Sequence, residues 1–244
     1  MIDLEGTLLG GQCFGWRRTE RGFQSVLGGR LVTIRDERDI HAQGLDQYFD
    51  MDGPYEEARE YLASLCAPMR KAVELESGIH ILRQDPWEAT VSFLMSQNNN
   101  IKRIRSMYRA LSDRYGSEVE EGWHAFPSQE QLRQATEEEL RELHFGYRAP
   151  YIVAMARNFQ PVDSALSTGQ ARKMLTGQLG IGPKVADCIL LFGYHRMDTF
   201  PMDTWMKKVM GTYFPGKDGS YFAPYQALAQ QYLFQAAQSG RLPC

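Results

Sequence analysis

The sequence predicts an α+β fold: a small N-terminal antiparallel β-sheet domain followed by a mostly α-helical body containing a helix–hairpin–helix motif. Three observations predict it. Short aromatic or β-branched runs, broken by glycine and charged turns, fill the first fifty residues. Capped segments of helical period fill the remainder. Within them, "LGIGPKVADC" at 179–188 sets a glycine turn directly against a helix start.

The strands are "QCFGWRRT", "GFQSVLG" and "RLVTIRDE", separated by "ERG" and "GGR", and they read as an antiparallel meander. "DGPYEEAREYLASL" at 52–65 opens the first helix, and from there the chain reads as almost wholly helical. At 85–88 "DPWE" supplies an Asp85 N-cap, a proline in the first helical position and a glutamate three after the cap. "SQEQ" at 128–131 and "TEEE" at 136–139 are capping boxes of the same type. No internal repeat or low-complexity linker interrupts them. The expected division is an N-terminal sheet domain with a following helix over 1–78 and a helical body over 79–244, the helix–hairpin–helix at about 171–195.

The 244 residues are 43% apolar and 23% charged, the composition of an ordinary soluble protein. No run approaches the roughly 20 apolar residues of a membrane span, and "MIDLEGTLLGG" lacks the basic start and apolar run of a secretory signal. Cys13, Cys66, Cys188 and Cys244 are scattered with no Cys-x-x-Cys pair, so neither a structural zinc nor an iron–sulfur cluster has a ligand set. No metal and no cofactor are expected, and the thiols read as buried apolar groups. The net charge of −3 is unevenly spread: five cations (Lys102, Arg103, Arg105, Arg109, Arg114) face one anion between 102 and 116, and eight acids face two arginines between 117 and 143. A molecule basic on one side and acidic on the other fits these counts, although charge runs are also ordinary solvated faces.

In the hairpin turn, Gly180 and Gly182 permit positive φ and close backbone approach, and the N–H groups of the following helix make a cradle for a phosphate. The plain alternative is a glycine C-cap between packed helices. Lys184 is the unusual element, a cation just inside a helix start where the backbone already carries partial positive charge. Partly desolvated there, its amine is expected to have a lowered pKa and to serve as a nucleophile. Helical spacing puts Cys188 and Phe192 on its face. Nineteen residues on, "FPMDTWMKKV" offers Asp203 immediately before a helix. Alone it is an N-cap; with the turn and the lysine it is a candidate catalytic carboxylate.

On these segments the chain resembles the 8-oxoguanine DNA glycosylase/AP lyase family of the helix–hairpin–helix base-excision superfamily. The resemblance runs in order through "GGQCFGW" (10–16), "HILRQDPWEATVSFLMSQNNNIKRI" (80–104), "FGYRAPY" (145–151), "LGIGPKVADC", "FPMDTWM" (200–206) and "LAQQYLF" (228–234). It implies a bifunctional enzyme that flips out and excises 8-oxoguanine, preferably opposite cytosine, through a lysine Schiff base, and then cleaves the strand by β-elimination. Lys184 corresponds to the nucleophile and Asp203 to the acid that stabilises charge at the sugar. Asn98 corresponds to the residue that fills the vacated stack, Arg103 and Arg148 to the readers of the orphaned cytosine, and Tyr147 to the wedge beside it. Arg103 and Arg148 read without the resemblance are phosphate contacts or solvated arginines. Gly11 corresponds to the glycine whose carbonyl accepts from N7–H, present on 8-oxoguanine and absent from guanine. Gln230 corresponds to the reader of the Watson–Crick edge, and Phe234 and Cys188 to the pair sandwiching the ring; without the resemblance Phe234 reads as core. The implied partner is double-stranded DNA containing oxidised guanine, with no membrane. A prokaryotic monomer, cytoplasmic and nucleoid-associated, is expected, because no targeting sequence is seen.

The chain departs from the family pattern at Gly15, where an arginine is common, at Trp205, where eukaryotic relatives face DNA with a histidine, and at Phe192, in place of a pocket methionine. Ten residues precede Gly11, so a leading strand is expected to be missing or reduced. Two other readings stay open: a monofunctional alkylated-base glycosylase of the same superfamily, against which Lys184 counts, and a non-catalytic helix–hairpin–helix DNA-binding module.

Overall fold

Asp3 makes the first segment a helix and not a strand: its carboxylate accepts from the Gly6 N–H at 3.0 Å and caps α1 (Leu4–Leu9). The structure, a computed structural model, describes residues 1–243, and Cys244 lies outside it. The meander follows as β1 (Arg17–Thr19), β2 (Gly22–Leu27) and β3 (Arg30–Ile34), each antiparallel to the next, with Phe23 opposite Ile34. Residues 12–16 do not join it as expected. Gln12 is held by the segment 80–84: its Nε2 donates to His80 O at 2.7 Å, its Oε1 accepts from Leu82 N at 2.9 Å and its carbonyl accepts from Gln84 Nε2 at 2.6 Å. A second Asp cap, at Asp36, starts α2 (Glu37–Ala42), so the strand read through residue 37 stops at Ile34. Trp16, Val32, Ile34, Ile40 and Phe49 close a small core beneath this sheet.

The helical body begins with α3 (Tyr55–Leu65) and α4 (Ala67–Glu76), whose Leu62, Met69 and Ala72 join the larger core. α5 (Pro86–Met95) starts at Asp85 as expected, its Oδ1 accepting from Glu88 N at 2.9 Å, but the Glu88 carboxylate accepts from Tyr108 at 2.9 Å and does not fold back on the cap. α6 (Ile101–Tyr115) follows, and then an unexpected hairpin in the acidic stretch, β4 (Glu118–Glu120) with β5 (Trp123–His124). α7 (Gln129–Leu132) and α8 (Glu137–Glu142) open on the two expected capping boxes, and a third, unpredicted, at Ser167–Gln170 opens α10 (Thr168–Thr176) after α9 (Ala149–Asn158). α11 (Pro183–Tyr194) completes the hairpin motif, and α12 (Thr204–Tyr213) and α13 (Gln226–Gln238) finish the fold.

α11 is apolar on nearly every side because it is the central helix, buried from Val185 to Phe192 except at the half-buried Asp187 and packed along α5. Its C-terminal end is tied to the N-terminal domain by Asp50, which is 4% exposed. Asp50 accepts from Arg83 at 2.7 Å and Tyr55 at 2.8 Å and lies 3.3 Å from His195, the cap of α11. Burial opposes the charge on Asp50, but His195, Arg83 and Tyr55 outweigh it and hold the carboxyl below its ordinary range.

Candidate active site

Three helix N-termini, those of α6, α11 and α12, rim a cleft of about 550 Å³. Each presents backbone N–H groups that favour anions. α11 has no side-chain cap at all, because its N-cap is Gly182. The turn before it needs one glycine for shape: Gly180 has φ +84°, and a Cβ there would lie 2.5 Å from Cγ of Tyr151. Gly182 is different, since a Cβ on it would meet nothing within 4 Å, leaving this face of the turn open.

Lys184 follows Pro183 in the first turn of α11 and is half-buried. Its Nζ lies 3.5 Å from Ser96 Oγ and 5.7 Å from the centre of the Phe93 ring. Asp203 caps α12, its Oδ1 accepting from Met206 N at 2.8 Å, and still lines the cleft. N-cap and cleft residue are therefore one and the same. Among the described residues Lys184 forms no ion pair, with Asp203 or any other acid, and its amine is held only by the long contact to Ser96.

Behind Lys184 the cleft narrows to a recess of about 50 Å³ that includes Gly11, Cys188, Phe192, Gln230 and Phe234. Phe192 is 3% exposed and stacks on Phe93 at 5.2 Å, forming the floor. Phe234 is only half-buried and lines both cleft and recess, so core packing does not account for it. Burial pushes the Cys188 thiol up to about 11, with Lys184 acting in the opposite direction. Gln230 is committed at both ends, Nε2 donating to Pro201 O at 3.2 Å and Oε1 accepting from Gln231 Nε2 at 2.6 Å.

The carbonyls of residues 9–12 show what the N-terminal loop offers this recess. Leu9 O accepts from Arg105 at 2.7 Å, Gly10 O from Gln235 at 2.7 Å and Gln12 O from Gln84 at 2.6 Å. Gly11 O alone of the four accepts no hydrogen bond from a described residue. Gly11 has φ +103°, and a Cβ on it would lie 2.9 Å from Cδ1 of Ile101. An unused acceptor in the lining of a small recess beside an amine is a specific chemical offer.

Residues 91–224 match the HhH-GPD superfamily of base excision DNA repair proteins, and residues 1–47 and 39–90 match the N-terminal domain of 8-oxoguanine DNA glycosylase. The chain belongs to this family. It is 30% identical to the 8-oxoguanine glycosylase/lyase of Clostridium acetobutylicum in its apo-form, covering 97% of this chain and 93% of that one with a TM-score of 0.87. It is 27% identical over 265 residues to a probable N-glycosylase/DNA lyase of Methanothermobacter thermautotrophicus, covering 89% of this chain and 84% of that protein. It is 37% identical over 153 residues, 54% of the chain, to an N-glycosylase/DNA lyase of Saccharomyces cerevisiae, and spans 41% of that relative's length.

Three of the residues matched to the family's DNA contacts, Asn98, Tyr147 and Arg148, meet at the turn between α5 and α6. Asn98 adopts φ +45° in the turn between α5 and α6. Tyr147, 47% exposed, donates to Gln97 O at 3.0 Å. Arg148 is 3% exposed, lies 4.4 Å over the Tyr147 ring and donates to the carbonyls of Gln97 and Asn98, the latter at 3.0 Å. Burial lowers its pKa. In the free protein it holds the turn that displays Asn98. Arg103 is exposed beside them, reaching His144 O at 3.3 Å. Trp205 sits at the mouth, 37% exposed, with the Lys208 ammonium 5.2 Å from its ring centre.

The cations of the basic run on α6 are engaged to different degrees. Arg105 is engaged at Leu9 O, Arg109 with Asp113 at 3.3 Å and Arg114 with Glu139 at 3.3 Å, leaving Lys102 and Arg103 at the mouth end. At Gly15, where an arginine is common in the family, a Cβ would stand 2.8 Å from the Tyr108 hydroxyl: Tyr108 fills that space. Sequence reasoning passed over Lys207 at the cleft mouth and Gln231 in the recess. The basic pair in "MKKV" was a signal for the first; nothing local marks the second.

Proposed function

We propose that this protein is a bifunctional DNA glycosylase/AP lyase that excises 8-oxoguanine, preferably opposite cytosine, and nicks the strand. The observation that carries this reading is the uncommitted carbonyl of Gly11, a residue that lines the recess together with Lys184 and Gln230. An acceptor at that place favours a purine with N7–H over one with a bare N7, because the latter leaves two lone pairs facing each other. The family membership and the names of its relatives support the reaction class. A structure of the clostridial protein with DNA containing cytosine opposite 8-oxoG supports the pairing.

The chemistry begins with the nucleotide swung out of the duplex, since no group in the recess can reach a stacked base. Asn98 fills the gap, displayed by Arg148 and flanked by Tyr147, while Arg103 and Arg148 face the orphaned cytosine. Phosphates on either side rest against the N–H groups of α11 and α12. The Lys184 amine attacks C1′ as the C1′–N9 bond breaks, and the electron pair leaves with the base, which takes up a proton. Asp203 stabilises positive charge at the sugar as it develops. Ring opening gives the Schiff base on Lys184. Loss of a C2′ proton then expels the 3′ phosphate.

Borohydride reduction during turnover tests this directly. Wild type is expected to form a covalent complex with a duplex bearing 8-oxoguanine opposite cytosine, and Lys184→Gln to form none. Base release without any trapped complex refutes the lysine mechanism, and release of alkylated purines in preference to 8-oxoguanine refutes the substrate.

A further inference from the structure

Reading a purine on two opposite edges requires that the two readers stand a fixed distance apart. Here they come from opposite ends of the chain, Gly11 on a loop and Gln230 on α13. A helix is stiff, and residues 230 and 235 on it are separated by about 7.5 Å along the axis. The loop has no such stiffness of its own, and Gly11 with φ +103° is the residue type least able to hold a backbone in place.

We propose that Gln235 is a positioning residue that fixes the lesion-sensing carbonyl of Gly11 against α13 and so sets the span across which a base is read. Gln235 is 8% exposed, lies outside the recess lining, and donates from Nε2 to Gly10 O at 2.7 Å across 225 residues of sequence. It is the one hydrogen bond between residues 1–16 and α13 among the described residues. Fixing the Gly10 carbonyl fixes the plane of the peptide joining Gly10 to Gly11, since that unit is rigid. What remains for the Gly11 carbonyl is that residue's own φ and ψ.

The loop is built around this contact. A Cβ on Gly10 would stand 2.0 Å from Gln235 Nε2, so a bare backbone at residue 10 is what admits the amide. On its other side the loop is secured by Arg105, which donates to Leu9 O at 2.7 Å from α6. Ile101, also on α6, takes up the space beside Gly11, where an added Cβ would lie 2.9 Å from its Cδ1. The carbonyl is thus aligned from two helices, α6 at the mouth and α13 at the recess, and Gln235 supplies the α13 side.

This inference rests on the reading of Gly11 as the lesion sensor, and the test separates the two. Single-turnover excision from a duplex with 8-oxoguanine opposite cytosine is compared with incision of the same duplex carrying an abasic site, which has no base to read. Gln235→Leu keeps the volume and removes the donor; Gln235→Asn keeps the amide but is one methylene too short to reach. Both are expected to slow excision at least tenfold and to leave abasic-site incision within twofold of wild type. Thermal melting identifies a variant that fails to fold, and the other then decides. If wild type excises 8-oxoguanine and the variants keep its ratio of excision to incision, whether by losing neither or losing both equally, this inference is overturned alone. If wild type incises abasic DNA but not 8-oxoguanine, the substrate reading falls and this inference with it.

Discussion

Gly180 and Gly182 lie two residues apart in the same turn, yet alanine at each should do opposite things. At Gly180 the backbone has φ +84°, which costs an L-residue about 1–2 kcal/mol. The added Cβ would also lie 2.5 Å from Tyr151 Cγ, and that ring is backed edge-on by Tyr147 at 6.1 Å. Overpacking of this kind costs about 1–3 kcal/mol. Together the terms give about 3 kcal/mol, a melting drop on the order of 10 °C in a chain of this size. At Gly182 the backbone is ordinary, with φ −87°, and the Cβ meets nothing within 4 Å. Reduced freedom of the unfolded chain favours alanine there and the weaker N-cap disfavours it, so stability should change by less than about 1 kcal/mol. On the proposed function, the new methyl instead occupies the space through which a phosphate would approach the start of α11. Thermal melting and equilibrium binding to a duplex with a stable abasic analogue separate the effects. Gly180→Ala should melt low, whereas Gly182→Ala should melt like wild type and bind DNA at least tenfold more weakly. A normal melting temperature for Gly180→Ala, or normal DNA binding by Gly182→Ala, would refute the division of labour drawn from the turn.

Burial pushes the Glu88 carboxyl up to about 7, with Tyr108 acting against it. Because that value exceeds the unfolded one, the stabilising contribution is full below about pH 4.5 and is lost as pH rises through 7; Glu88→Gln should therefore gain on wild type from pH 5 to pH 8, by at most about 3 kcal/mol, and a constant gap in melting temperature would contradict this. Arg148→Ala should cost at least about 2 kcal/mol, because the Gln97 and Asn98 carbonyls lose a charged donor, and a melting temperature equal to wild type would show that the turn holds itself. Gly11→Phe should fold and still incise abasic DNA while releasing no 8-oxoguanine, and an active variant would refute the recess assignment. Iodoacetamide at pH 8 should label Cys66, which is partly exposed, before Cys188, whose thiol burial holds at about 11; mass spectrometry of time points reads the order.

What the sequence disclosed was local. Caps at Asp85, Ser128 and Thr136 were legible because a cap is decided within four residues, and β2 and β3 because their turns are glycine. α1 and α2 carried the same signal in Asp3 and Asp36 and were absorbed into a strand reading, since short helices lack a full period. The site was legible where one motif supplies both position and chemistry, as with Lys184 after its turn. It was illegible where partners are far apart: nothing near Arg105 says that it binds Leu9 O, and nothing near Gln235 names Gly10. Charge counts share this limit, since a count does not say which arginines already pair with a neighbour.

The recess at rest has room for one or two waters, at about 30 Å³ each, and no purine. Gln230, bonded to Pro201 and Gln231, helps to keep it shut. Opening is then an equilibrium of its own, and the apparent affinity for any base is reduced by the fraction of molecules that are open. That reduction falls equally on damaged and undamaged bases, so it does nothing for the ratio between them. It acts on absolute occupancy. On the proposed function, a recess this small at rest keeps occupancy by any base low on DNA where intact guanine is in vast excess, and leaves the choice between bases to the Gly11 carbonyl.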